Sequence, residues 1–200
     1  MFCFQCQETM RNSGCTAMGY CGKTENTANL QDLLVYILKG VSIYAEKLKE
    51  LGIQDRSTGR FVVRGLFSTI TNVNWDDDRF EELIWEAQTF RTHLRNRFLE
   101  AYRAKHGRDF TGPLHDSATW SGGTTAEFTA KAGSIGILST VDQDVRSLRE
   151  LLVIGLKGVG AYADHAAALG FEKDEIYDFI IHGLASTTRD LPAEEMIDLV

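Results

Sequence analysis

Residues 149–170 repeat residues 31–52 at a constant offset of 118. Leu33, Leu34, Val35, Leu38, Lys39, Gly40, Val41, Tyr44, Ala45, Leu51 and Gly52 recur as Leu151, Leu152, Val153, Leu156, Lys157, Gly158, Val159, Tyr162, Ala163, Leu169 and Gly170. That is 11 identities in 22 positions, where unrelated sequence of average composition gives about one or two. The offset persists beyond it: Phe61, Gly65, Leu66, Ser68 and Thr69 become Phe179, Gly183, Leu184, Ser186 and Thr187. A chain built twice from one unit must bury the same face twice. In both copies the apolar residues recur at three and four positions, the period of a helix. Gly40/Gly158 and Gly65/Gly183 read as sites where two helices approach closely.

The elements follow from this pattern. A first helix runs from Leu30 to Leu51, and Gly52 caps it. A second spans about Phe61–Thr71. A third starts near Asp76 with an acidic first turn and ends in Arg103 and Lys105 before Gly107, a charge order that suits the helix dipole. Residues 108–143 break the period, with Pro113, Gly122, Gly123, Gly133 and Gly136 among Ser and Thr. They read as a long connector. The second copy begins its third helix near Pro192, and about two turns follow to Val200. The expectation is all-α: two repeated three-helix bundles, the second incomplete. The expected division is a loop at 1–29, a bundle at 30–107, a connector at 108–143 and a truncated bundle at 144–200. Only 2 prolines in 200 residues suit such a fold.

All four cysteines lie within the first 21 residues. A disulfide framework would be spread through the chain. The N-terminus has neither a basic region nor an apolar run of secretory type, and no window reaches the ~18 apolar residues of a membrane span. Both absences point to the cytoplasm, where structural disulfides are rare. Cys3, Cys6, Cys15 and Cys21 therefore read as metal ligands. The spacing Cys-x2-Cys-x8-Cys-x5-Cys supplies the four thiolates needed by Zn²⁺ or an iron–sulfur cubane, and leaves both open. Phe2, Phe4, Met18 and Tyr20 are candidates to shield such a centre from water. The net charge of −7 argues against a nucleic-acid partner.

Other chemistry finds little support. None of His93, His106, His115, His165 and His182 has a glutamate three residues before it, so a carboxylate-bridged di-iron bundle is not indicated. No glycine-rich phosphate loop is present. The basic stretch Arg91–Arg108 reads as a solvated helix end. Ser68/Thr69 and Ser186/Thr187 have no base at a recognisable spacing. Trp120 reads as packing.

The opening Met1-Phe2-Cys3-Phe4-Gln5-Cys6-Gln7-Glu8-Thr9, Cys15, Gly19-Tyr20-Cys21-Gly22-Lys23, Thr27–Leu34 and Asp142–Leu152 resemble the start of the hybrid cluster proteins, or hydroxylamine reductases. The resemblance covers essentially the whole chain, in the short cysteine spacing typical of strict anaerobes. It implies that Cys3, Cys6, Cys15 and Cys21 hold a [4Fe–4S] cubane. It also implies a much longer parent oxidoreductase, whose later α/β domains carry the hybrid cluster that reduces hydroxylamine or nitric oxide. No cysteine follows Cys21, so that second cluster's ligands are not among these residues and no catalytic residue is expected here. A small redox protein as electron donor and the parent's C-terminal domains are the implied partners. Two alternatives remain: a structural zinc or iron–sulfur knot on a helical assembly module, and a domain like the helical region of carbon monoxide dehydrogenases.

Overall fold

The Thr24 hydroxyl accepts the amide of Thr27 and so starts α1 (Glu25–Glu50) five residues ahead of the apolar period that begins at Leu30. In this computed structural model, which describes residues 1–200, the chain forms seven α-helices and no strand. Asp55 caps α2 (Arg56–Ser68), and Asp76 caps α3 (Asp77–His106). Gly52 and Gly107 take left-handed φ values of 83° and 67° where α1 and α3 end, as the sequence predicts. Thr27 and Asn26 on α1 both donate to the Asp77 carboxylate, at 2.6 and 2.8 Å, which pins the start of α3 to the start of α1.

The expected connector contains a helix of its own. Thr124 caps α4 (Thr125–Ile135), and Phe128 and Ala132 are its only buried residues. Two anchors are too few for a periodic signal. Ahead of α4, a short 3-10 turn at Asp116–Ala118 lies against α1. There Gly40 meets backbone: a Cβ would stand 2.0 Å from the Ser117 carbonyl oxygen. The close approach expected of Gly40 is thus to a turn rather than a helix, and Gly158 faces nothing within 4 Å. Gly65 and Gly183 do admit a helix neighbour, Leu38 and Leu156 respectively. Arg91, read from sequence as part of a solvated end, is buried. It donates to the carbonyls of Ser117 (2.6 Å) and Trp120.

Asp142 caps α5 (Gln143–Ala168), which is followed by α6 (Asp174–Ser186) and the short α7 (Ala193–Ile197). The repeat is kept residue for residue: α5 and α6 have the bounds of α1 and α2 shifted by 118. Gly52 and Gly170 share a φ of 83°. The two hairpins interlock, with α1 and α2 packed on α6 and α2 on α5. Arg56 and its repeat equivalent Asp174 pair at 2.6 Å across the junction. Gly59 likewise faces its own equivalent, Tyr177. These contacts mark a quasi-two-fold axis. One core of 32 buried apolar residues runs through both hairpins.

The quasi-symmetry ends at the third helix. α3 covers α1, so Leu33, Val41 and Tyr44 are fully buried. Their equivalents Leu151, Val159 and Tyr162 are 54%, 40% and 81% exposed. No helix is long and apolar enough to cross a membrane.

Candidate metal centre

Residues 1–24 fold over the N-terminal end of α1 without regular structure beyond one 3-10 turn at Met10–Asn12. Arg11 and Asn12 both take φ of 55°, a left-handed bend that reverses the chain between Cys6 and Cys15. The reversal sets Cys15 opposite Cys3. The Cys3 amide donates to the Cys15 carbonyl at 3.0 Å, and the Cys15 amide donates back at 2.8 Å. Gly14 leaves the room that the Phe2 ring occupies, and Phe2 leans on Phe4 with ring centroids 5.6 Å apart. A second tight turn, closed by Gly19 N–H to Lys23 O at 2.8 Å, carries Cys21. Gly22 allows this turn with φ of 89°.

None of the four cysteines is paired in a disulfide. Cys15 is buried, and the other three are half-buried. The Cys15 sulfur accepts from the Met10 amide at 3.5 Å and lies 3.9 Å from the Thr9 hydroxyl. The Met10 amide, and next that of Tyr20, hold this thiol below its ordinary pKa against the opposing effect of burial. Such donors suit a thiolate, the form that binds metal. Lys23, itself buried, places Nζ 4.0 Å from the Cys3 sulfur and 2.5 Å from Oε1 of Gln31 on α1. Gln5 ties the loop to both hairpins. With its amide turned to satisfy both partners, it donates to the Thr69 carbonyl at 3.3 Å and accepts from Lys157 Nζ at 3.2 Å.

The structure thus joins Cys3 to Cys15 and puts Cys6 and Cys21 in the same folded loop. It draws no three Cys, His, Asp or Glu side chains into a group that would hold a single metal ion. In donor type and in the amides aimed at sulfur, the loop fits a thiolate-ligated centre. Of the expected shielding residues, Phe2 and Phe4 are half-buried beside the cysteines, whereas Met18 and Tyr20 are 57% and 70% exposed. These two side chains face mostly solvent.

Sequence reasoning missed the polar groups beneath the loop. Lys23, Gln31 and Lys157 are nearly inaccessible to solvent, and Asp32, Lys39 and Glu150 line the same cleft. A signal was present: Asp32/Glu150 and Lys39/Lys157 are equivalent positions of the repeat. A charge held at matched positions of two apolar helices marks an interior polar site.

A family model described as Prismane/CO dehydrogenase matches residues 1–200. The chain is 62% identical to a hydroxylamine reductase of Nitratidesulfovibrio vulgaris, 58% to one of Halothermothrix orenii and 52% to one of Desulfosudis oleivorans. Each match takes in the whole of this chain. The chain spans 36%, 36% and 35% of the length of these curated relatives.

Proposed function

Because the chain belongs to the Prismane/CO dehydrogenase family, we propose that it is the N-terminal electron-accepting domain of a hydroxylamine- or nitric-oxide-reducing enzyme. Cys3, Cys6, Cys15 and Cys21 hold a [4Fe–4S] cubane. The observation that carries this reading is the folded loop itself. It gathers every cysteine of the chain, sets Cys3 against Cys15, and aims backbone amides at the Cys15 sulfur. A single zinc ion needs all its sulfurs at about 2.3 Å, whereas a cubane spreads its ligands over four irons. The relatives named hydroxylamine reductase favour this assignment over a carbon monoxide dehydrogenase-like domain.

Such a cubane supplies one-electron transfer. The chain's own residues set the conditions for it. The Met10 and Tyr20 amides and the Lys23 ammonium favour added negative charge at sulfur. Phe2 and Phe4 limit water on one side. The exposed Met18 and Tyr20 lie between the third and fourth ligands in sequence and are where a small redox protein would approach. The remainder of the parent protein carries the hydroxylamine chemistry, and the protein works in the cytoplasm.

Addition of dithionite to anaerobically purified protein tests this. A reversible bleaching of the visible spectrum is expected, together with the EPR signal of a reduced cubane. A metal-loaded loop that stays silent to dithionite would instead make it a structural knot.

A further inference from the structure

Lys23 is a buried ammonium without a carboxylate partner. It is 3% exposed. It takes part in none of the chain's ion pairs, so no carboxylate oxygen lies within 4.0 Å of it. Burying an ammonium is costly unless something anionic offsets it. Its polar neighbours are Gln31 Oε1 at 2.5 Å, a neutral acceptor, and the Cys3 sulfur at 4.0 Å. Gln31 is also 3% exposed, and its amide nitrogen donates to the Asn74 carbonyl at 3.4 Å. α1 and the α2–α3 link thus fix where the ammonium points, and it points at sulfur.

The loop's backbone makes this placement. The Lys23 carbonyl accepts from the Gly19 amide and closes the turn that carries Cys21. Gly19 leaves room there for both the Cys21 sulfur and the Lys23 stem, each 3.0 Å from where a Cβ would stand. The side chain therefore starts beside the fourth cysteine and ends beside the first. The charges lining the cleft below do not cancel. Lys23, Lys39 and Lys157 meet only two carboxylates, Asp32 and Glu150, so positive charge is left over even with both acids ionised. Lys157 is buried as well, and a second neutral amide, that of Gln5, holds it.

We propose that Lys23 is the built-in counter-ion of the centre held by Cys3, Cys6, Cys15 and Cys21, and that Gln31 is the positioning residue that aims it. The inference rests on the cubane reading above. Four thiolates around a cluster form an anionic group, and each electron gained adds negative charge. A fixed cation 4.0 Å from one ligand sulfur, out of reach of solvent ions, favours the more negative state. Lys23 thereby raises the reduction potential, so that a weaker one-electron donor can reduce the centre. The holder matters as much as the charge. A carboxylate at position 31 would orient the ammonium and cancel it. The Gln31 amide orients it and leaves the charge for the centre.

EPR-monitored redox titrations at one pH, on protein purified anaerobically with its cluster, test this. In Lys23→Met the reduced-to-oxidised ratio at a fixed applied potential should drop at least about tenfold, a shift of about 59 mV for one electron. Gln31→Glu should lower the midpoint too, although it keeps the lysine, because the new carboxylate pairs with the ammonium. Lys173→Gln removes an exposed cation near the start of α2, whereas the loop meets its end, and should leave the midpoint unchanged. If Lys23→Met loses its cluster, Gln31→Glu decides. A fall in Lys23→Met without one in Gln31→Glu overturns the part given to Gln31. An unmoved midpoint in Lys23→Met, or loss of the cluster in both variants, overturns the counter-ion role and leaves the cubane reading intact. Wild-type protein with no reducible cluster overturns both.

Discussion

Cys3 and Cys15 exchange two backbone hydrogen bonds across the eleven residues between them. Gln5 and Lys23 tie the loop to the helices beneath it, and we propose that a metal bound by the four cysteines adds to its stability. Replacing Cys6 with serine should lose the bound iron and raise hydrogen exchange over residues 1–24. Unchanged iron content in that variant would refute the ligand assignment. Asp32 adds a pH dependence to folding. Its carboxyl is raised in the folded state from 3.8 to about 7, by desolvation above all. The folded chain therefore binds more protons than the unfolded chain within that window. Stability from this group is full below about 4 and is lost as pH rises to about 7. Lys157, lowered to about 8, acts at the other end: its contribution is full above the ordinary lysine value and is lost as pH falls through that window. Urea midpoints measured at pH 5 and pH 7 should differ less in Asp32→Asn than in wild type. The cysteine loop was legible as a unit because all four thiols fall within 21 residues ahead of the helical period. The cleft was not, because a lone Asp or Lys on a helix reads as solvated until its partner helix is placed.

Each helix of the first hairpin reappears with the same bounds in the second. Their existence was readable from the apolar period and the offset, and the ends of α1 and α5 from their capping glycines, although α1 and α2 begin five residues before the expected Leu30 and Phe61. Two things were not. α4 buries only Phe128 and Ala132, too little to stand out from a Gly/Ser/Thr-rich background. The axis between hairpins rests on which residues meet, and no single helix encodes that. Gly59 shows the point. It lies opposite its own equivalent, and a Cβ there would stand 2.4 Å from the buried Tyr177 ring. Gly59→Ala should destabilise the chain by about 1–3 kcal/mol through overpacking, measured by chemical denaturation. An unchanged midpoint would place the axis elsewhere. Arg91 ties the Ser117–Trp120 turn to α3. Arg91→Met leaves two buried carbonyls without donors, a cost of about 1–3 kcal/mol. Faster hydrogen exchange at 116–122 would accompany it.

Across the whole molecule, one internal repeat serves two different surroundings. Tyr44 is fully buried beneath α3, while its equivalent Tyr162 is 81% exposed. In this chain Tyr44→Ala should cost about 3–5 kcal/mol, and Tyr162→Ala should fall within about 0.5 kcal/mol of wild type. Equal losses would mean that the second hairpin has a covering that α7 does not provide. The 200 residues span little more than a third of their relatives' length. We propose that hydroxylamine turnover requires the rest of the protein, since no cysteine follows Cys21 to ligate a second cluster. The central claim is that the loop carries a cubane, and metal and acid-labile sulfide analysis of the anaerobically purified chain tests it most directly. The account predicts about four irons and four sulfides per chain. About one zinc with no sulfide would contradict it.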